Sequence, residues 1–257
     1  MSLEAVIPEA PARRRPFLRP LLGWALGAPM LAFSVTLVFL LAPFRGGGRA
    51  FWIVAPRYIR FTAWTFGIRR RLEGWDALPE AIREGRQPVI LVGNHASLFD
   101  PPLLISTLPC HAVFMAKREL ARVPFLGWVI WIADFIFIDR GRRAKAVASL
   151  HAAARRIHGG QSIITFPEGT RSIDGRLLPF KKGAFNLAAE AEVPVIPFAI
   201  HGGARVLPKG DWRVAGEDYV IRIGVPLAVP SGSDPDSLRR KAEAAVAALM
   251  EPSATSR

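Results

Sequence analysis

The chain has 257 residues, of which about half are apolar, and a formal net charge of +13. This length allows one large α/β domain, alone or with an appended segment. The only cysteine, Cys110, excludes intrachain disulfides, and its apolar surroundings in the sequence indicate an inert, half-buried thiol. Residues 1–71 hold eleven arginines against two glutamates, interleaved with Trp, Phe and Leu. Basic charge mixed with apolar residues suits an anionic membrane surface, and no zinc-finger spacing or RNP-like aromatic motif supports binding to nucleic acid.

The N-terminal part of the sequence predicts a basic tail followed by a membrane anchor. Residues 1–20 are rich in Pro and Arg, and we expect them to be poorly ordered. From Leu21 to Phe44 no charged residue occurs in 24 positions. At about 1.5 Å per residue, such a helix is long enough to cross a hydrocarbon core of about 30 Å. The run is too long for the core of a signal peptide, and no small-x-small cleavage site follows it, which favours an anchor over a leader.

The next segment, Ala50–Ile68, mixes aromatic residues with Arg57 and Arg60. We expect it to be interfacial, because two arginines about one turn apart are costly at the centre of a bilayer. Arginines flank Leu21–Phe44 at both ends, so the positive-inside bias gives no orientation. Two architectures remain open, a single span and a helical hairpin that turns at residues 46–48 and dips into one leaflet. We favour the hairpin, because it accounts for basic residues at both ends.

From about Arg71 onward, short apolar runs alternate with helical stretches. The predicted strands are residues 88–93, 111–115, 135–139, 162–166, 193–200 and 219–224. The predicted helices are residues 101–108, 124–133, 142–158, 183–192 and 235–251. Such alternation predicts an α/β fold with a largely parallel central sheet flanked by helices. The predicted organisation is a tail at 1–20, membrane-anchoring helical segments at 21–70 and an α/β domain at 71–257.

The first candidate for chemistry is the stretch NHASLFD, from Asn94 to Asp100, which follows a predicted buried strand. A histidine at the end of such a strand, beside a helix N-terminus, is well placed in a crevice at the edge of the sheet. Asp100 can curl back and accept the Nδ1–H of His95, which leaves Nε2 free to take a proton from an alcohol. The alternative is a structural histidine and an aspartate that caps the following helix.

The second candidate is FPEGTRS, from Phe166 to Ser172, directly after another predicted strand. Gly169 permits a tight turn, and Arg171 offers a bidentate fork for a phosphate. Thr170 and Ser172 add hydroxyl groups. The alternative interpretation is an ordinary polar turn between a strand and a loop.

These motifs, with two further stretches, resemble the four sequence blocks of the 1-acylglycerol-3-phosphate acyltransferases and related glycerolipid acyltransferases. NHASLFD resembles the first block, FIFIDRGR (residues 135–142) the second, FPEGTRS the third and VPVIPFAI (residues 193–200) the fourth. The linking sequences AKREL, PFLGW and PFKKGAF also resemble those of the family. The resemblance covers about residues 70–230.

The resemblance implies a role for each matching residue. His95 would be the general base, and Asp100 its orienting partner. Glu168, Gly169 and Arg171 would form the acceptor site together with Thr170 and Ser172, with Arg171 on the acceptor phosphate. The other implied binding residues are Arg140, facing the acceptor phosphate or the thioester donor, the lysines Lys117, Lys181 and Lys182, and Pro194 and Pro197, which would shape a strand lining the acyl or thioester channel.

The implied reaction transfers an acyl chain from acyl-CoA or acyl-carrier protein to the free sn-2 hydroxyl of lysophosphatidic acid, giving phosphatidic acid for phospholipid synthesis. It implies no metal and no cofactor beyond the thioester co-substrate. The sequence has no GxSxG elbow, which favours direct transfer without an acyl-enzyme.

The expected location is the phospholipid bilayer of a bacterial inner membrane, with the site on its cytosolic side. Another lysophospholipid, lyso-ornithine lipid or glycerol 3-phosphate remain alternative acceptors, and a non-catalytic membrane-surface protein remains the alternative from another class.

Overall fold

A computed structural model describes residues 18–123, 126–138 and 143–251, with the backbone alone for Leu126 and residues 143–147. The described strands are β1 (Arg69–Glu73), β2 (Ile90–Gly93), β3 (Ala112–Lys117), β4 (Ile136–Ile138), β5 (Ser162–Thr165), β6 (Val195–His201) and β7 (Asp218–Ile223). The described helices are α1 (Leu18–Arg45), α2 (Gly47–Phe66), α3 (Glu80–Arg83), α4 (Asp100–Thr107), α5 (Leu126–Ile132), α6 (Arg143–His158), α7 (Gly183–Ala191), α8 (Gly203–Val206) and α9 (Pro235–Met250).

The strands form one sheet in the order β1-β7-β6-β2-β5-β3-β4. Strands β2 to β6 run parallel to one another, whereas β7 pairs antiparallel with β6 and parallel with β1. The predicted largely parallel α/β fold is therefore confirmed. All six predicted strands are present, with ends that differ by at most two residues.

The sequence pattern missed β1, and its composition explains why. Its residues, RRRLE, alternate between exposed and half-buried, as is usual for an edge strand that does not cross the core. A strand search that depends on runs of apolar residues passes over such a segment. β1 is held instead by five registered pairs with β7, from Arg69 opposite Asp218 to Glu73 opposite Arg222.

Alternate residues of the sheet build two separate cores. In β2, Leu91 packs in one cluster with Leu103 and Leu104 of α4, while Ile90 and Val92 face the other cluster with α6, α7 and α9. A strand that is buried on both faces is apolar at every position, which is why β2 reads as a continuous apolar run. Because β5 and β6 both pair parallel with β2, the C-terminal ends of these three strands meet at one edge of the sheet.

Helices α1 and α2 form an antiparallel pair, as the predicted helical hairpin requires. Near the turn, Val38 of α1 packs against Ala50 and Val54 of α2. At the far end Gly23 lies against Phe66, so closely that a Cβ at Gly23 would be 2.3 Å from the Phe66 ring. The predicted tail at residues 1–20 lies mostly outside the described residues, since α1 begins at Leu18.

The two helices differ in what their outer surfaces face. Helix α2 packs on α4, and its last residue, Phe66, is fully buried in the core of the α/β domain. Helix α1 is long and apolar enough, by length and composition, to cross a membrane. Its large apolar side chains point outward, among them Leu22, Phe33, Leu40 and Phe44, while its buried face is mostly small residues.

Candidate active site

The site begins where β2 ends. Gly93, the last residue of this strand, lies so close to Phe198 of β6 that a Cβ would be 2.4 Å from the ring. The buried Asn94 side chain then binds both main-chain groups of Ile200, accepting from its N–H at 2.7 Å and donating to its C=O at 3.0 Å. These contacts fix the backbone immediately before His95. The sequence singled out Asn94 only as part of a motif.

His95 and Asp100 lie in direct contact. The Nδ1 atom of His95 is 2.8 Å from Oδ2 of Asp100, and that oxygen also accepts the main-chain N–H groups of Ala96 and Ser97 at 2.8 Å each. Asp100 is fully buried and is the first residue of α4, but no side-chain bond caps that helix. The carboxylate therefore binds the preceding loop and the imidazole rather than the helix end.

The imidazole of His95 is also held on one face. The ring of Phe166 stacks on it with centroids 4.1 Å apart and an interplanar angle of 9°. Phe166 in turn contacts Phe114 and Phe198, both of which belong to the core. The His95 side chain is 17% exposed, and within the described ranges no hydrogen bond occupies its Nε2. A base with a fixed ring and an available Nε2 can accept a proton from a substrate hydroxyl.

Two residues of the FPEGTRS segment, Glu168 and Ser172, bind the main-chain N–H and carbonyl of His95. Oε1 of Glu168 accepts the His95 N–H at 2.7 Å, and Oε2 accepts the N–H of Leu178 at 3.1 Å. The N–H of Ser172 donates to the His95 carbonyl at 2.8 Å, and its hydroxyl donates to Asp174. The side chains of Glu168 and Ser172 thus bind protein groups around His95 and the following loop.

Glu168 has an unusual electrostatic environment. Its side chain is almost completely buried, and burial raises its pKa from 4.5 to about 7 even though two main-chain N–H groups stabilise the carboxylate. The negative charge of Asp100 acts in the same direction as burial, as a smaller effect. Glu168 is therefore a carboxyl group that changes protonation state close to neutral pH.

The turn at Gly169 presents Arg171 beside this centre. Gly169 has a φ of +73°, the left-handed region that favours glycine, and its N–H donates to the carbonyl of Phe166 at 3.0 Å. Thr170 is exposed and Arg171 is half-buried. Among the hydrogen bonds and ion pairs of the described chain, none involves the Arg171 guanidinium. The neighbouring residue, Ser172, contacts the His95 carbonyl, so Arg171 is adjacent in the chain to a residue that touches the dyad.

Two further predicted binding residues, Pro197 and Lys117, lie on β6 and at the end of β3. Pro197 is buried in the middle of β6, opposite Val92, and its carbonyl accepts the N–H of Gly224. Lys117 ends β3, is exposed, and has its Nζ 3.5 Å from Oε1 of Glu119. Arg140 lies outside the described residues. Burial raises the pKa of the Cys110 thiol to about 12, which leaves it un-ionised at neutral pH.

Comparisons with known proteins identify the same acyltransferase family that the sequence motifs resemble. The model of the Acyltransferase family matches residues 69–201. A 1-acyl-sn-glycerol-3-phosphate acyltransferase alpha from Ovis aries is 31% identical over 84% of this chain and 71% of its own length. A 1-acyl-sn-glycerol-3-phosphate acyltransferase from Limnanthes douglasii is 38% identical over 64% of this chain and 56% of its own length.

A solved structure extends the likeness to the three-dimensional fold. The 1-acyl-sn-glycerophosphate (LPA) acyltransferase PlsC from Thermotoga maritima superposes with a TM-score of 0.73, at 27% sequence identity. The match covers 90% of this chain and 92% of that protein, so it includes far more than the four sequence blocks. With a matching family model over half of the chain and relatives above 30% identity, the chain belongs to the acyltransferase family that includes the 1-acyl-sn-glycerol-3-phosphate acyltransferases.

Proposed function

We propose that this chain transfers a fatty acyl group from acyl-CoA or acyl-carrier protein to the sn-2 hydroxyl of lysophosphatidic acid, giving phosphatidic acid. The observation that carries the proposal is the His95–Asp100 pair, with Nδ1 bound at 2.8 Å and Nε2 unoccupied in the described structure. The names of the relatives support the acceptor, since each is a 1-acylglycerol-3-phosphate acyltransferase.

In the proposed mechanism, Nε2 of His95 takes the proton of the acceptor hydroxyl as its oxygen attacks the thioester carbonyl carbon. Asp100 stabilises the imidazolium that forms, because its Oδ2 accepts the Nδ1–H. The tetrahedral intermediate collapses with cleavage of the C–S bond, and the departing thiolate takes up the proton held by His95. The products are the ester and the free thiol, and no acyl-enzyme forms.

Arg171 is the group that we assign to the acceptor phosphate. The Arg171 guanidinium has no carboxylate partner among the described residues, so it is available for bidentate contact with a phosphomonoester. Arg171 follows the turn at Gly169 and precedes Ser172, which contacts His95. Thr170, which is exposed, is the hydroxyl of this turn that remains available to substrate. Glu168 and Ser172 would contribute indirectly, because both hold the main chain of His95.

We also propose that the hairpin lies in one leaflet of the bacterial inner membrane and brings the site to the cytosolic headgroup plane. Helix α2 touches the α/β domain along its length: Gly48 lies by Ile132, Trp52 by His111 at 4.3 Å between ring centroids, and Phe66 by Phe99 at 6.0 Å. Because α1 packs along α2, a full span by α1 would draw the domain into the hydrocarbon. An exposed apolar face on α1 is the part available to lipid.

The test of the proposed function is acyl transfer by purified protein on liposomes. Lysophosphatidic acid, other lysophospholipids, lyso-ornithine lipid and glycerol 3-phosphate would each be offered with acyl-CoA and with acyl-carrier protein. We expect phosphatidic acid from lysophosphatidic acid, and none from the His95→Ala variant. Preference for another acceptor would overturn the substrate assignment, and membrane binding without transfer to any acceptor would support the membrane-surface alternative.

The test of the proposed membrane topology compares the accessibility of two positions. One is an N-terminal epitope tag, and the other is a cysteine at the exposed position Ala77 in a Cys110→Ser background. The hairpin predicts that both are reached only from the cytosolic side of sealed inverted vesicles. A tag protected there, with residue 77 accessible, would mean that α1 spans the membrane.

A further inference from the structure

A buried tyrosine from outside the four motifs contacts the dyad. Tyr219 lies on β7, which the family model does not reach, since that match ends at residue 201. The side chain is fully buried, and its hydroxyl donates to Oδ1 of Asp100 at 3.2 Å. Oδ2 of the same carboxylate is occupied by His95 Nδ1 and two main-chain N–H groups. Tyr219 thus donates to Oδ1, the carboxylate oxygen that His95 does not contact.

From these contacts we propose that Tyr219 is a positioning residue, which holds Oδ1 of Asp100 so that Oδ2 faces Nδ1 of His95. The inference rests on the proposed role of His95 as general base. A carboxylate can rotate to exchange its two oxygens, and a buried oxygen that lacks a donor is costly, so the hydroxyl selects one orientation. Its surroundings keep this hydroxyl protonated: burial and the Asp100 charge raise the pKa of Tyr219 well above its ordinary value.

Other contacts from the same stretch of chain support this arrangement. Gly203, at the start of α8, is so close to Asp100 that a Cβ would be 2.7 Å from Oδ1. The Ser97 hydroxyl donates to the carbonyl of Leu207 at 2.9 Å, which ties the loop between His95 and Asp100 to the same segment. The segment after β6 therefore packs against the side of the carboxylate that His95 does not use.

The antiparallel placement of β7 brings Tyr219 to the correct edge of the sheet. Val220 pairs with His201 at the C-terminal end of β6, so the beginning of β7 lies at the edge where β2 delivers His95. Side chains at 219, 221 and 223 face the core, whereas those between them are half-buried. A parallel β7 would have placed its first residues at the opposite edge, away from Asp100.

Tyr219→Phe tests the proposal, because it removes the hydroxyl and keeps the ring. We expect kcat to fall roughly tenfold, as for a buried oxygen that loses its donor, with KM for acceptor and donor within about twofold. The downfield Nδ1–H proton resonance of His95, assigned in ¹⁵N-histidine protein by its loss in His95→Ala, should shift. Gly203→Ala, which crowds the same oxygen, should change kcat and the resonance in the same sense.

Ser162→Ala is the matched control. The Ser162 hydroxyl is a buried acceptor for the N–H of Val89 at the opposite edge of the sheet, so its loss can lower stability but should leave kcat and the resonance unchanged. A Tyr219→Phe variant with wild-type kcat and resonance, or with a changed KM alone, would overturn the inference. An active His95→Ala would instead refute the proposed general-base role of His95, on which the inference rests, while the resonances of Tyr219→Phe and Gly203→Ala would still report on the orientation of Asp100.

Discussion

Replacing Glu168 by Gln should change how stability depends on pH. In the folded protein this carboxyl group keeps its proton up to about pH 7, whereas its ordinary pKa, which we take for the unfolded chain, is 4.5. Between these two values the folded state binds more protons, so its contribution to the free energy of unfolding is fully present below pH 4.5 and is lost as pH rises to about 7. A difference of this size corresponds to about 3 kcal/mol at 1.36 kcal/mol per pKa unit.

The magnitude is large enough to measure by thermal unfolding in detergent micelles. At roughly 2–4 °C per kcal/mol for a domain of this size, the midpoint advantage of wild type over Glu168→Gln should shrink by roughly 6–12 °C between pH 4.5 and pH 7.5. Taking the difference between the two proteins removes the contribution of other titrating groups. Glu80→Gln, which alters an exposed carboxylate paired with Arg86, is the control and should show little pH dependence.

One result would refute this reasoning directly. If the midpoint difference between wild type and Glu168→Gln were the same at pH 4.5 and pH 7.5, the Glu168 pKa would not be raised. Catalysis gives an independent check, because the amide of Gln would place an N–H group against a main-chain N–H of His95 or Leu178. We therefore also expect a lower kcat in Glu168→Gln above pH 7.

Three further substitutions test separate parts of the site and the anchor. Asp100→Asn should lower kcat on the order of 10⁴-fold, since the imidazole loses the carboxylate that fixes its tautomer, and a loss below tenfold in a steady-state assay would contradict this role. Arg171→Ala should lower acceptor kcat/KM at least about tenfold, with Lys restoring only part, and a defect confined to the thioester's KM would move Arg171 to the donor site. Gly23→Ala should lower the thermal midpoint, because its Cβ would lie 2.3 Å from the Phe66 ring, whereas Gly27→Ala in the same helix, where the nearest atom to the new Cβ is 3.8 Å away, should leave it nearly unchanged.

The sequence predicted those features whose signals are local. Most predicted strands are short runs of apolar residues that the sheet buries, and every predicted helix of the α/β domain except the last lies between two of them. The His95–Asp100 contact was also predictable, because the partners are five positions apart and the intervening loop can close on itself. Contacts of this kind depend on the chain within one turn or loop, so a single sequence contains their signal.

The supports of the dyad could not be predicted in the same way. Tyr219 is 119 residues from Asp100, and in a strand it reads as an ordinary core aromatic residue. Glu168 binds the main-chain N–H of His95. Because every residue except proline carries a main-chain N–H, the amino-acid type does not indicate such a partner. The resemblance assigned Glu168 to the acceptor, and its contact with the His95 N–H is visible only in the three-dimensional arrangement.

Helix α2 joins α1, the proposed membrane-facing helix, to the region of His95 and Asp100, and this affects how membrane docking should be tested. Phe66 is fully buried and contacts Phe99, the residue before Asp100, with ring centroids 6.0 Å apart. A truncation that removes both helices would therefore open the core beside the dyad as well as release the protein from lipid. Charged substitutions on the outer face of α1, such as Leu22→Glu with Phe33→Glu, leave that core intact. If the hairpin serves only to dock the enzyme, these variants should lose activity on bilayers yet keep it on acceptor dispersed in detergent.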